Sequence, residues 1–125
     1  MPSTEVTLLV EKGKTLLMKD KRRPLIMPPA AETDMNAVEM ARIWIAEKQL
    51  HCVLNVGHWS ESSEIDERQA WGIVLADIAR HASFAIEDSM GSDARENLKM
   101  ILESFRTEIA HKTSEHTGEW PEGKP

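Results

Sequence analysis

The sequence has a single cysteine, no apolar run long enough to cross a bilayer and none of the short motifs that carry enzyme chemistry. Each absence excludes something. With Cys52 alone there is no internal disulfide and no Cys-x-x-Cys metal or redox pair, which suits a reducing compartment. A spanning helix needs about 20 consecutive apolar residues, and residues 1–5 lack the basic and apolar regions of a secretory signal. A cytoplasmic protein with no membrane partner is therefore expected. There is no Gly-x-Ser-x-Gly elbow, glycine-rich phosphate loop, dinucleotide fingerprint or His-Glu-x-x-His pair. Enzyme chemistry has little support, and no cofactor is implied. No internal repeat is present.

What is there is one domain's worth of chain: 125 residues, 14.1 kDa, 41% hydrophobic and 29% charged. The net charge of −6 disfavours a non-specific hold on nucleic acid or anionic lipid, both of which need a basic surface. That charge is uneven. Residues 1–24 hold six basic and three acidic groups, so they carry +3 and the rest carries −9. The basic cluster Lys19, Lys21, Arg22 and Arg23 is short, broken by Asp20 and without interleaved aromatics, which makes it a poor nucleic-acid arm.

Along the chain, Thr7-Leu8-Leu9-Val10 and Thr15-Leu16-Leu17-Met18 flank a polar stretch with Gly13, suggesting a hairpin, with helix as the competing reading. Residues 1–23 are thus a basic leader or hairpin. Three prolines between Pro24 and Pro29 favour extended chain and an edge strand. Residues 36–48 read as a helix, with Asp34 or Asn36 as cap, Glu39 reaching back, and Ala37, Met40, Ala41, Trp44 and Ile45 as its buried stripe. Alternation of Leu50, Cys52, Leu54 and Val56 predicts a strand ending at Gly57, with Cys52 as a packed, inert thiol.

A loop then leads to a second helix over 66–87, capped by Asp66, with stripe Trp71, Val74, Leu75, Ile78, Ala82 and Ala85. Gly91 can end it, and Ser92 or Asp93 can start a third helix over 94–111 with the cleanest apolar face in the chain: Ala94, Leu98, Ile101, Leu102, Phe105 and Ile109. From residue 113 the composition predicts a flexible tail over 113–125, leaving 24–112 as a single domain. The expected fold is α+β: a two-layer sandwich in which a small antiparallel or mixed sheet carries about three helices on one face.

Two sets of residues are candidates for function. His58, Trp59, Asp77 and His81 could form a metal or small-molecule site, since imidazole ligates metals and Asp77 and His81 share a helical edge. The same residues also suit a surface hydrogen bond and rim packing, and no ligand is indicated. The second set is apolar material on the wrong face: Ile73 and Phe84 stand about 200° and 220° round the second helix from Trp71, beside Asp77 and Arg80, and Ile43 is similarly off-face. Two stripes imply two partners. One is the sheet and the other is the third helix or a second subunit; a homodimer would also extend the small sheet and cover its edge, so Ile43, Ile73, Arg80 and Phe84 are the expected interface of a self-associating interaction module.

A run of short motifs carries a resemblance. Pro24-Leu25-Ile26, Pro28-Pro29-Ala30, Ala37-Val38-Glu39, Trp44-Ile45-Ala46, Leu50-His51, Gly57-His58-Trp59, and Ala70-Trp71-Gly72-Ile73 through Ala79-Arg80-His81 resemble a family of short bacterial proteins classed as a domain of unknown function. The resemblance covers roughly Pro24 to Gly118. It implies a bacterial origin and a common α+β fold, and no mechanism.

Overall fold

A computed structural model of the chain describes residues 8–10, 15–17 and 24–120. It separates into two units, residues 1–38 and 39–125. In the first, β1 (Leu8–Val10) and β2 (Thr15–Leu17) pair antiparallel with Leu9 opposite Leu16, which is the hairpin rather than the helix of the two readings. Leu25 and Ile26 are almost fully exposed, and residues 24–28 form no ladder, so the expected edge strand is absent there. Pro28 is extended instead and leads into the short α1 (Pro29–Thr33), where a proline at the first helical position sacrifices no hydrogen bond.

The helix expected over 36–48 is a strand. The backbone N–H of Asn36 donates to Asp34 Oδ1 at 2.8 Å, so the presumed cap closes a local turn, and β3 (Ala41–Ala46) follows. Ile43, Trp44 and Ile45 are β-branched or aromatic, fit a pleated surface, and sit opposite Cys52, His51 and Leu50 of the antiparallel β4 (Gln49–Leu54). The two-residue connection Glu47-Lys48 has positive φ at both positions, 54° and 64°, which is the twist that a tight hairpin requires. Helix-forming Glu and Lys are overridden by strand pairing.

The expected tail supplies the third strand. β5 (His116–Glu119) runs parallel to β4, giving a mixed sheet in the order β3-β4-β5. His51 ties it down: its Nε2–H donates to Ala46 O at 2.9 Å, which leaves Nδ1 to accept the Thr117 hydroxyl at 2.6 Å. Gly118 lies opposite Cys52, where a Cβ would stand 3.0 Å from the Cys52 carbonyl oxygen. Close approach of the two backbones is what the glycine permits.

The helical layer follows the sequence closely. A single turn, α2 (His58–Ser62), occupies the expected loop. α3 (Glu67–Met90) is 24 residues long, begins at Asp66, whose side chain accepts from Arg68 N, and ends at Gly91 in the left-handed conformation. It outlasts the expected 66–87 by three residues because nothing before Gly91 stops it. α4 (Ala94–Ala110) starts at Asp93, which accepts from Arg95 N and Glu96 N. Asn97 joins the two: its Nδ2 donates to the carbonyls of Ser83 and Ser92, both at 3.0 Å, and its Oδ1 accepts the Ser92 hydroxyl at 2.7 Å. The architecture is α+β, as the sequence implies.

Candidate functional site

The most constructed polar point lies where β4 hands over to the helices. Gly57 takes a φ of 106°, turning the chain into α2 and aiming its first N–H groups toward the start of α3. The carboxylate of Glu67 collects them. Oε2 accepts from Gly57 N at 2.8 Å and Trp71 Nε1 at 2.9 Å, while Oε1 accepts from Trp59 N and Ser60 N, both at 3.0 Å. Partial burial pushes this carboxyl up, yet the N–H donors of Gly57, Ser60, Trp71 and Trp59 outweigh it and hold the group below the ordinary glutamate value. Above it the Trp59 and Trp71 rings meet edge to face at 6.0 Å, and His58 meets Trp59 at 5.2 Å. This cluster docks α2 onto α3 and leaves the carboxylate's acceptor sites occupied.

The four residues expected to form a ligand site divide. His58 and Trp59 belong to the cluster at the beginning of α3. Asp77 and His81 are exposed further along α3, and Asp77 accepts from Arg80 Nη1 at 3.0 Å. His81 follows Trp71 by ten residues, and ten residues of helix rise about 15 Å. Among the described residues no group of three or more His, Cys, Asp or Glu is placed to hold a metal ion. The sequence alone does not single out Glu67, although an acid opening a helix four residues before a tryptophan, ten residues after a glycine turn, is the signal that marks it.

The sheet carries an open groove of about 690 Å³ lined by Ala41, Arg42, Leu54, Asn55 and Trp120 among others. Its one cation is engaged, because Arg42 Nη2 lies 2.9 Å from Glu39 Oε2. Cys52 is half-buried, in line with a packing role more than a reactive one.

Apolar surface dominates the remainder. Ala70 is the only buried hydrophobic residue among those described; Ser83 and Asn97, both polar, are the other buried ones. Ile43, Ile73 and Phe84 are 54%, 63% and 57% exposed, and Arg80 is exposed beside them. The close pairings in this unit run β3 to β4, β4 to β5, α2 to α3 and α3 to α4, so each layer is built on its own neighbours.

A mixed three-stranded sheet joined to a long helical hairpin, with a single-turn helix docked at the junction, defines a small α+β domain. The chain belongs to the family described as Domain of unknown function (DUF5076), whose family model matches residues 24–113. Among solved structures it is similar to one described as a "putative pyruvate dehydrogenase from the photosynthetic bacterium Rhodopseudomonas palustrus CGA009", with 27% identity, a TM-score of 0.55, and coverage of 78% of this chain and 91% of that one. No curated protein matches the chain. No helix of the described residues is long and apolar enough to cross a membrane.

Proposed function

We propose that this protein is a non-enzymatic, self-associating interaction module of the bacterial cytoplasm, acting as a homodimer with Ile73, Arg80 and Phe84 in its interface and Ile43 at the sheet. One observation carries the reading: a chain that is 41% hydrophobic buries one alanine as its sole described apolar core residue and leaves large side chains exposed on both helices and on the sheet. Large contiguous apolar surface in a folded chain marks an interaction site, and a second copy is the partner that is always at hand. β3 is an edge of the sheet, which adds backbone groups open to pairing.

Light scattering on the full chain at high micromolar concentration tests this. The expected mass is twice 14.1 kDa. A mass that stays at one chain throughout the concentration range defeats the proposal.

A further inference from the structure

We infer that the second copy packs hairpin on hairpin, with α3 of each chain lying along α4 of the other in an antiparallel four-helix bundle. This rests on the self-association reading and adds to it the surface and the pairing. Ser83 and Asn97 are buried where the two helices of one chain meet, so they mark the contact line. Ile73 and Phe84 stand about 80° and 100° round α3 from Ser83, and Leu98, Leu102, Phe105 and Ile109 about 80–140° round α4 from Asn97. Because the helices run in opposite directions, the same sense of rotation from the contact line leads to the same side of the pair. The second stripe of α3 and the apolar stripe of α4 therefore make one face.

That face is large enough. Ile109, Phe105 and Leu102 are 75%, 51% and 38% exposed, and with Ile73 and Phe84 they present roughly 500 Å² per copy. Two copies would bury roughly 1,000 Å² before any polar rim is counted, the level at which specific interfaces begin.

Its spacing and charge select the pairing. Ile73 and Phe84 are eleven residues apart, and so are Leu98 and Ile109. Eleven residues make three turns at about 3.67 per turn, close to the helix's own period, so such positions stay aligned along straight helices. The charges on the outer flanks keep the same step: Asp77 and Asp88 on α3, Arg95 and Arg106 on α4. Asp88 is two residues from the end of α3 and Arg95 is the second residue of α4, so they stand at one level beside the turn. One step of eleven brings Asp77 and Arg106 to a common level too.

Within a chain these acids and bases occupy opposite outer edges of the hairpin. Across a two-fold axis parallel to the helices, Asp88 meets the partner's Arg95, and Asp77, which also accepts from Arg80 of its own helix, meets the partner's Arg106. The other face-to-face two-fold arrangement, α3 over α3, sets Asp77 and Asp88 against the partner's acids and Arg95 and Arg106 against its bases, a costly juxtaposition that Arg80, paired with Asp77 on its own helix, offsets only in part.

The test is sedimentation equilibrium of the full chain at low ionic strength, where surface charge pairs are least screened. Asp88→Arg and Arg95→Asp are suitable variants, since each puts at a helix end the charge that its dipole favours, and circular dichroism checks that both remain helical. Each single reversal is expected to weaken the dimer by about tenfold or more, and the double reversal to return it to within about threefold of wild type. A wild-type dimer that the single reversals leave unchanged or tighten, or that the double reversal fails to restore, overturns this pairing while self-association stands. A monomeric wild type overturns self-association itself.

Discussion

The helical hairpin and the sheet are built on different kinds of information. α3 and α4 start at aspartates that accept from their own first-turn N–H groups, and α3 stops at a glycine with positive φ, so nearly everything that defines them lies within a few residues. The sheet depends on pairings that the local sequence does not announce: β3 is held by β4 through a strained connection, and β5 is held by a strand more than sixty residues earlier. One region is specified locally and the other by its partners. The hairpin should therefore tolerate changes in the sheet, and the reverse should also hold.

The largest expected effect falls on the hairpin. Asn97 is buried, and its side chain satisfies two backbone carbonyls and one hydroxyl. Asn97→Ala removes all three bonds and leaves the Ser83 and Ser92 carbonyls without that donor, at a cost of about 2–3 kcal/mol. A fall of that size in the unfolding free energy from urea titration at fixed protein concentration, with the amide protection of β4 and β5 retained, is the expected result. Loss of the sheet along with the hairpin would break the comparison.

The sheet's counterpart is Gly118. In Gly118→Val the new Cβ stands 3.0 Å from the Cys52 carbonyl, and both atoms belong to paired backbones that cannot yield without opening the ladder. The expected cost is about 1–3 kcal/mol, confined to β5, so that hydrogen exchange speeds up at His116–Glu119 and stays slow in α3 and α4.

The same contrast explains what could be read from the chain beforehand. Asp66, Asp93 and Gly91 were legible because a cap is a local arrangement of one side chain and two or three amides. Residues 36–48 deceived for a related reason: Asp34 caps a turn with the chemistry it would use for a helix, and the run Met40, Ala41, Trp44 and Ile45 fits a helical stripe as well as a strand does. What decided the matter was β4, lying just beyond a two-residue connection. The tail misled in a similar way, since Thr117 and Gly118 resemble loop residues until His51 and the Cys52 carbonyl are opposite them. On the candidate site, the off-face position of Ile73 and Phe84 was visible, but that they share a face with Leu102 and Phe105 depends on how the hairpin closes.

The connection between β3 and β4 should be improvable. Glu47 and Lys48 both carry side chains in the left-handed region, with φ of 54° and 64°. Such conformations favour Asn and Gly, so Glu47→Asn with Lys48→Gly is expected to stabilise the sheet by about 1 kcal/mol. An unchanged urea midpoint would mean that the strands fix this turn at no cost to themselves.

The smallest effect concerns the junction, because Glu67 lies near solvent and its interactions are screened. Its folded-state carboxyl titrates below the ordinary glutamate value of 4.5, so between the two values the unfolded chain binds more protons than the folded one. The stabilisation is fully present above about pH 4.5 and is lost as the pH falls through the folded-state value. Since Trp71 donates to this carboxylate and packs against Trp59, tryptophan fluorescence should report the loss of the α2 contact below that window, with α3 and α4 still helical. Glu67→Gln keeps one accepting oxygen and cannot titrate, so its acid transition should be shallower over the same interval. A wild type and variant with identical acid profiles would show that the four N–H groups orient this carboxylate without linking the junction to its charge.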